Sequence, residues 1–544
     1  MTSFVTKAEY RWVVIFSGMV MLIATLPYLI GYANQGENWQ FTGFVFNVED
    51  GNSYIAKMLR GSAGEWLFKT PYTAMPQRGV MIFLPYLLLG KLAAPPGVHE
   101  QLLGLFHLFR IAAGILAILA TYNFLALFLR DVRLRQIGLV LVTLGGGLGW
   151  VLVMIGRTNW LGSLPLDFYS PETFGFLALY GIPHLALARA FLLWGLAAYL
   201  DKTVIMPDTL PSFKDGAKIG VIWLLASLAQ PLAGLVILAV VGSHLFALAG
   251  WQAWRGWRSE PTDWLRWRRM ACIAIWAGLV PVPLLLYTFV SFLFDPFLKA
   301  WTAQNTIPSP HPFHYLLAFG VLLPFTLIGI SYLLKRNPWL GSMPAVWVLS
   351  LPALAYAPFN LQRRLPEGIW VALVTLGMLP FDRLKVRTFK RSIILVSVIM
   401  VSIGSTLFLL MGGIKAAARP GWPLSRPSDE VAMFVYLAQQ AEPDAVVLTA
   451  FETGNALPAW SPQRVVIGHG PESANFKETQ RRLSEFFEPG TSDAARIALL
   501  EEASVEYILW GPAERDLGGW DPGKASYLLR VFKQGEYSLF EVTP

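Results

Sequence analysis

Runs of roughly twenty apolar residues, almost free of charge, recur along the 544-residue chain, and they constrain its fold more than any other feature. An α-helix rises about 1.5 Å per residue, so about 20 such residues cross the ~30 Å hydrocarbon core of a bilayer. Candidate spans lie at 12–33, 104–129, 136–156, 182–200, 271–294, 313–334, 342–358, 368–381 and 392–414. Only 14% of residues are charged, against roughly 25% in a soluble domain, and 55% are hydrophobic. These figures exclude an ordinary soluble enzyme and a disordered chain. The single cysteine, Cys272, excludes a disulfide-stapled module and a cysteine-built zinc site.

Two stretches do not fit one crossing. Residues 79–94 would form a helix only ~24 Å long that contains Pro85. Residues 219–250 would form one of ~48 Å, interrupted at Gln230-Pro231. Lysine and arginine collect in cytoplasmic loops, which decides both cases. Basic groups stand at Lys7 and Arg11, at Arg130, Arg133 and Arg135, from Arg255 to Arg269, at Lys335-Arg336 and from Arg383 to Arg391. All fall on one side if 79–94 is a partial or re-entrant helix and 219–250 a broken hairpin. The expectation is a polytopic α-helical membrane protein of about 11 spans, multi-pass in a bacterial plasma membrane, with a cytoplasmic N-terminus.

The net charge of +8 divides unevenly. Residues 1–415 carry 32 basic and 17 acidic residues, a net +15; residues 416–544 carry 11 and 18, a net −7. The chain therefore reads as a membrane domain, 1–415, followed by an extracytoplasmic domain, 416–544. The basic excess sets orientation and gives no reason to expect a nucleic-acid partner. In the tail, strand-like runs at 446–449, 465–467, 507–510 and 537–542 alternate with helical patterns near 428–441, 475–487 and 493–503. That predicts a small α/β domain. Gly468-His469-Gly470-Pro471 reads as a turn. No glycine-rich nucleotide fingerprint is present.

The expected outer segments hold the polar chemistry. The first, about 34–103, carries Glu49 and Asp50 just ahead of an amphipathic stretch with Tyr54 and Lys57. A carboxylate there can serve as general base, ligate a metal, or simply favour the start of a helix. The second carries Asp167, Glu172 and His184. The imidazole can meet a phosphate or a backbone carbonyl, and Glu172 can pair with Arg157 or Arg189. The fourth carries Arg363 and Arg364 against the positive-inside trend. Arginine pairs bind phosphate bidentately; the alternatives are snorkelling or an ion pair to Glu367. An outer cavity with carboxylates on one side and Arg/His on the other suits attack by an acceptor hydroxyl on a sugar carried by a lipid phosphate.

With this first loop, its acidic pair, about 11 spans and an outer C-terminal domain, the chain resembles the GT-C glycosyltransferases. These include protein O-mannosyltransferases, aminoarabinose transferases and arabinosyltransferases. The resemblance is most specific at Glu49-Asp50 with Tyr54, and less so at Arg363-Arg364. It implies a polyprenyl-phosphate-linked sugar donor, inverting transfer on the extracytoplasmic face, and Asp50 as base. Glu49-Asp50 is not a strict Asp-x-Asp, so a divalent metal at this pair is a possibility rather than an implication. The competing class is a transporter or lipid flippase, which should show paired broken helices in two repeats. Only one broken pair, at Gln230-Pro231, is visible in the sequence.

Overall fold

The computed structural model describes residues 5–205, 211–383 and 388–543, so Lys385 and Arg387 of the last basic run lie outside it. Among the described residues six helices are long and apolar enough to cross a membrane, or eight if two bent pairs each count as one span. The protein is a polytopic helical membrane protein with a small C-terminal sheet. The chain forms two units. A helical unit comprises Met1–Thr25, Phe109–Tyr287 and Ile307–Gly412. A mixed unit comprises Leu26–Leu108, Thr288–Thr306 and Gly413–Pro544.

In the helical unit, apolar runs become helices as expected, but three are interrupted. Residues 136–156 resolve into Val132–Leu144 and Gly149–Met154, split at Gly145-Gly146-Gly147. The glycines let other backbone come close: Gly146 N–H donates to Ser402 O at 2.6 Å, and a Cβ on Gly147 would stand 2.4 Å from Ala318 Cα. Residues 271–294 bend by 52° between Trp264–Leu279 and Val282–Phe294. Residues 313–334 bend by 79° between Pro312–Phe319 and Leu323–Arg336. Pro281 with Pro283, and Gly320 with Pro324, supply the breaks, because proline has no N–H to donate and its ring clashes with the preceding turn. The break at Gln230 is where the sequence puts it: Gln230 is extended, and Pro231 opens the helix Pro231–Trp257. The helix before it, Phe213–Ala229, packs back against it; a Cβ on Gly234 would meet Ser227 Oγ. The short helix Ile369–Arg383 runs through the core, with residues 369–381 all buried. Gly329 lets the helix Leu323–Arg336 come against its Leu376 carbonyl.

The mixed unit holds two sheets. Strand β1 (Trp39–Phe41) pairs antiparallel with β2 (Ser425–Pro427), so a piece of the first loop is stitched to a piece of chain almost four hundred residues later. The second sheet comprises β3 (Val446–Leu448), β4 (Arg464–Val465), β5 (Val505–Trp510), β6 (Leu528–Gln534) and β7 (Tyr537–Val542), in the order β4-β3-β5-β7-β6. β3 is parallel to β4 and β5; β7 is antiparallel to β5 and β6. Val446, Leu448, Ile508 and Phe540 pack against Leu483, Phe486 and Phe487 of the helix Phe476–Phe487. The edge strand β6 has no counterpart among the expected strands. Its Arg530 and Lys533 dilute the apolar signal, as charges commonly do on sheet edges.

The first loop has helices at Val48–Ser62 and Leu84–Gly90. Seven residues make a helix only ~10 Å long, so 84–90 cannot cross a bilayer. The two helices touch backbone to backbone. A Cβ on Gly90 would lie 1.8 Å from Met58 O, and one on Gly61 would lie 2.1 Å from Leu87 O. Glycine at both positions fixes how the helix bearing Glu49 and Asp50 is seated.

Candidate functional site

Helix Val48–Ser62 begins after Asn47, whose φ of 55° turns the chain sharply into the first turn. Glu49 and Asp50 occupy that turn, where the helix dipole favours negative charge. Their side chains do more than face the dipole. Asp50 Oδ1 lies 2.9 Å from His469 Nε2, and its Oδ2 accepts from the Asn47 amide. Glu49 Oε1 accepts the Gly470 N–H at 3.0 Å. Asn455 donates to Glu49 O at 3.2 Å and accepts from Asn52 at 2.8 Å. The turn 468–471 therefore packs on the acidic pair within the mixed unit.

Behind His469 is a buried carboxylate. Glu472 Oε1 pairs with Lys57 Nζ at 2.6 Å and accepts from Ser53 at 2.9 Å; its Oε2 accepts from Thr70 at 2.6 Å. The His469 Nδ1 atom is 3.8 Å from Glu472 Oε1. Asp50 is about a third exposed (36%), whereas His469, Glu472 and Lys57 are almost completely covered (6%, 3% and 1%). Burial alone would push the histidine down; Glu472, Asp50 and Glu49 outweigh it and raise it above the usual imidazole value. Burial would push Glu472 up; Lys57 and His469 outweigh it and hold it below the usual carboxylate value. The Lys57 charge is thus neutralised in the interior. Tyr54 is buried and stacked on Tyr86, ring centroids 4.6 Å apart.

The other candidates belong to the helical unit. Asp167 is buried; it accepts from Ser405 and from the Gly149 N–H at 3.1 Å, and so closes the glycine interruption described above. Glu172 pairs with Arg364 at 3.3 Å, and Glu367 with Arg189 at 2.8 Å. These partners are the reverse of those the sequence suggested. Burial pushes Glu367 up to about 7 even beside Arg189. Arg363 donates to Tyr169 O at 2.5 Å and stacks over the Tyr169 ring at 4.4 Å. Among the described residues no ion pair to Arg363 is present, so part of its guanidinium is uncommitted. His184 is buried in the first turn of helix Pro183–Leu200.

No family model and no curated protein matches the chain in sequence. Solved structures do match it in fold. The oligosaccharyltransferase AglB of Archaeoglobus fulgidus, solved with an inhibitory peptide and a dolichol-phosphate, aligns over 93% of this chain and 70% of its own, with TM-score 0.57 and 13% identity. ArnT of Cupriavidus metallidurans in the apo state aligns over 98% of both chains, with TM-score 0.51 and 12% identity. The arabinofuranosyltransferase AftD from Mycobacteria aligns over 97% of this chain and 41% of its own, with TM-score 0.54 and 13% identity. This is the fold of the GT-C glycosyltransferases.

On this GT-C fold the acidic pair is a poor metal site. Glu49 Oε1 and both Asp50 oxygens already face N–H donors. Among the described residues no three His, Cys, Asp or Glu side chains are grouped to share an ion. What the first-loop helix offers instead is a carboxylate, Asp50, that is part exposed and held from behind by a histidine. His469 sits in the turn Gly468-His469-Gly470-Pro471. Nothing local marks His469 as a partner of Asp50, since 419 residues separate them.

Proposed function

We propose that this protein is a membrane glycosyltransferase that moves a sugar from a polyprenyl-phosphate donor to an acceptor hydroxyl with inversion. Asp50 carries the reading: a part-exposed carboxylate, held at one edge by His469 and at the other by Asn47, in a GT-C fold. In the step, the acceptor O–H bond breaks and its proton passes to a carboxylate oxygen of Asp50. The acceptor oxygen attacks the anomeric carbon from the face opposite the phosphate. The carbon–oxygen bond to the lipid phosphate then breaks, and the electron pair leaves with the phosphate.

AglB is solved with a dolichol-phosphate, which supports a lipid-phosphate donor here. For that phosphate the helical unit offers Arg363, whose guanidinium is only partly committed, with Arg364 and His184 as further candidates. Arginine suits the task because it keeps its charge and presents a planar fork of donors. We further propose about 11 spans, a cytoplasmic N-terminus and catalysis on the extracytoplasmic face. The test is transfer by the full chain in detergent with a panel of polyprenyl-phosphate sugars, with Asp50→Asn alongside. A general base contributes roughly 10²-fold or more, so the variant should lose at least that much. Full activity in Asp50→Asn would remove it from the role.

A further inference from the structure

We propose that His469 is the positioning residue of Asp50: it binds one edge of the carboxylate and fixes its orientation. This role rests on Asp50 being the base. The geometry is asymmetric in the way such a role requires. Asp50 is part exposed and His469 is buried, with Nε2 on Asp50 Oδ1 at 2.9 Å. A buried group does not reach an acceptor; it reaches the group that does.

The imidazole is itself fixed from several directions. Ser473 Oγ accepts the N–H groups of Gly468 at 3.0 Å and His469 at 3.1 Å, which folds the turn. The Gln304 amide donates to Pro471 O at 3.0 Å and Ser473 O at 2.6 Å, and its oxygen accepts the Phe476 N–H at 3.2 Å. The turn lies so close to the helix Phe451–Trp460 that a Cβ on Gly468 would meet Gly454 O at 2.3 Å. The Tyr72 ring lies 5.5 Å from the imidazole. On the far side stands Glu472, held by Lys57, Ser53 and Thr70.

The charged and titratable groups facing the ring are Glu49, Asp50 and Lys57 from the first-loop helix, Tyr72 from the segment after it, and Glu472 from its own turn. Asp50 Oδ1 is bonded at Nε2, and Glu472 Oε1 stands 3.8 Å from Nδ1, too far for a hydrogen bond but close enough for its charge to favour the imidazolium. With Nε2 protonated the ring donates to Asp50, whereas a ring with Nε2 bare would turn a lone pair on that carboxylate. A carboxylate bonded by such a ring cannot rotate freely, and a catalytic group held in productive geometry avoids the entropy cost of being oriented at the moment of reaction.

The experiment uses the full chain in detergent with a donor that the unmodified protein turns over. His469→Ala should lower kcat about 10-fold or more, part of the general-base contribution, and leave KM for donor and acceptor nearly unchanged. His469→Gln places an amide nitrogen near the Nε2 position and should recover part of the loss. Added imidazole should do the same for His469→Ala. An unchanged kcat in His469→Ala overturns the proposal. So does a loss, in a chain that elutes and melts normally, that neither glutamine nor imidazole repairs. Activity is not the only readout. With histidines labelled at Cε1, one of seven NMR resonances should vanish in His469→Gln, and that resonance should move in Asp50→Asn. A moved resonance in a protein that turns over no donor keeps the pairing and removes the transferase reading. An unmoved one removes the pairing itself.

Discussion

Lys57→Met is the most informative single change. Lys57 and Glu472 are about 1% and 3% exposed and 2.6 Å apart. Removing the ammonium leaves Glu472 with hydrogen bonds from Ser53 and Thr70 but no full positive partner except His469. Breaking a buried ion pair from one side typically costs about 3–5 kcal/mol, because the remaining charge is still out of water. In a unit of this size each kcal/mol lowers the melting temperature by about 2–4 °C, so the expected drop is roughly 6–20 °C. Lys57→Met with Glu472→Gln removes both charges and should recover most of it. The sign of the pH dependence is also fixed. The folded-state pKa of Glu472 is depressed, so its contribution is present above the ordinary carboxylate value and is lost as pH falls through the lower folded value. The gap between Lys57→Met and the parent should therefore narrow on acidification. Thermal unfolding in detergent at several pH values measures it. A drop under ~2 °C, or a double variant as unstable as the single, would refute the reasoning.

Other outcomes follow from single contacts. Glu514 is buried, accepts the Ala450 and Gly511 N–H groups at 2.8 and 2.9 Å, and is pushed by burial up to about 7. A raised folded value means that its stabilisation is full below about 4.5 and lost as pH rises through about 7, so Glu514→Gln should flatten the melting temperature against pH over that range. Gly90→Ala drives a methyl to 1.8 Å from Met58 O, and no side chain can yield there; melting should fall by several degrees and transfer should fall with it. Arg363→Ala should raise KM for the lipid-phosphate donor more than it lowers kcat, as steady-state kinetics would show. With Cys272 replaced, Thr262→Cys should react with impermeant reagents from the cytoplasmic side only and Lys477→Cys from the outer side only.

That the apolar runs form membrane-length helices was legible because apolar length is a direct requirement of the solvent they cross. Where they break was less so. Gln230-Pro231 stood out because its run was too long, whereas Pro281, Pro324 and Gly145-Gly146-Gly147 sit inside runs of acceptable length. In the tail the buried strands β3, β5 and β7 were visible as apolar runs, and the charged edge β6 was not. Asp50 and Arg363 stand out as candidates by chemistry and position. The pairings do not: Glu172 with Arg364, Glu367 with Arg189 and Asp50 with His469 are choices made by tertiary packing among residues that all look equally available along the chain.

The pairing of Trp39–Phe41 with Ser425–Pro427 also bears on biosynthesis. Ribosomes add about 5–20 residues per second, so the 419 residues between Asp50 and His469 take roughly 20–80 s to make. For most of that interval the first loop has neither its strand partner, nor its histidine, nor the acid that neutralises Lys57. A nascent chain interrupted before residue 469 carries Asp50 without its histidine contact, so the proposed base waits for a residue made long after it.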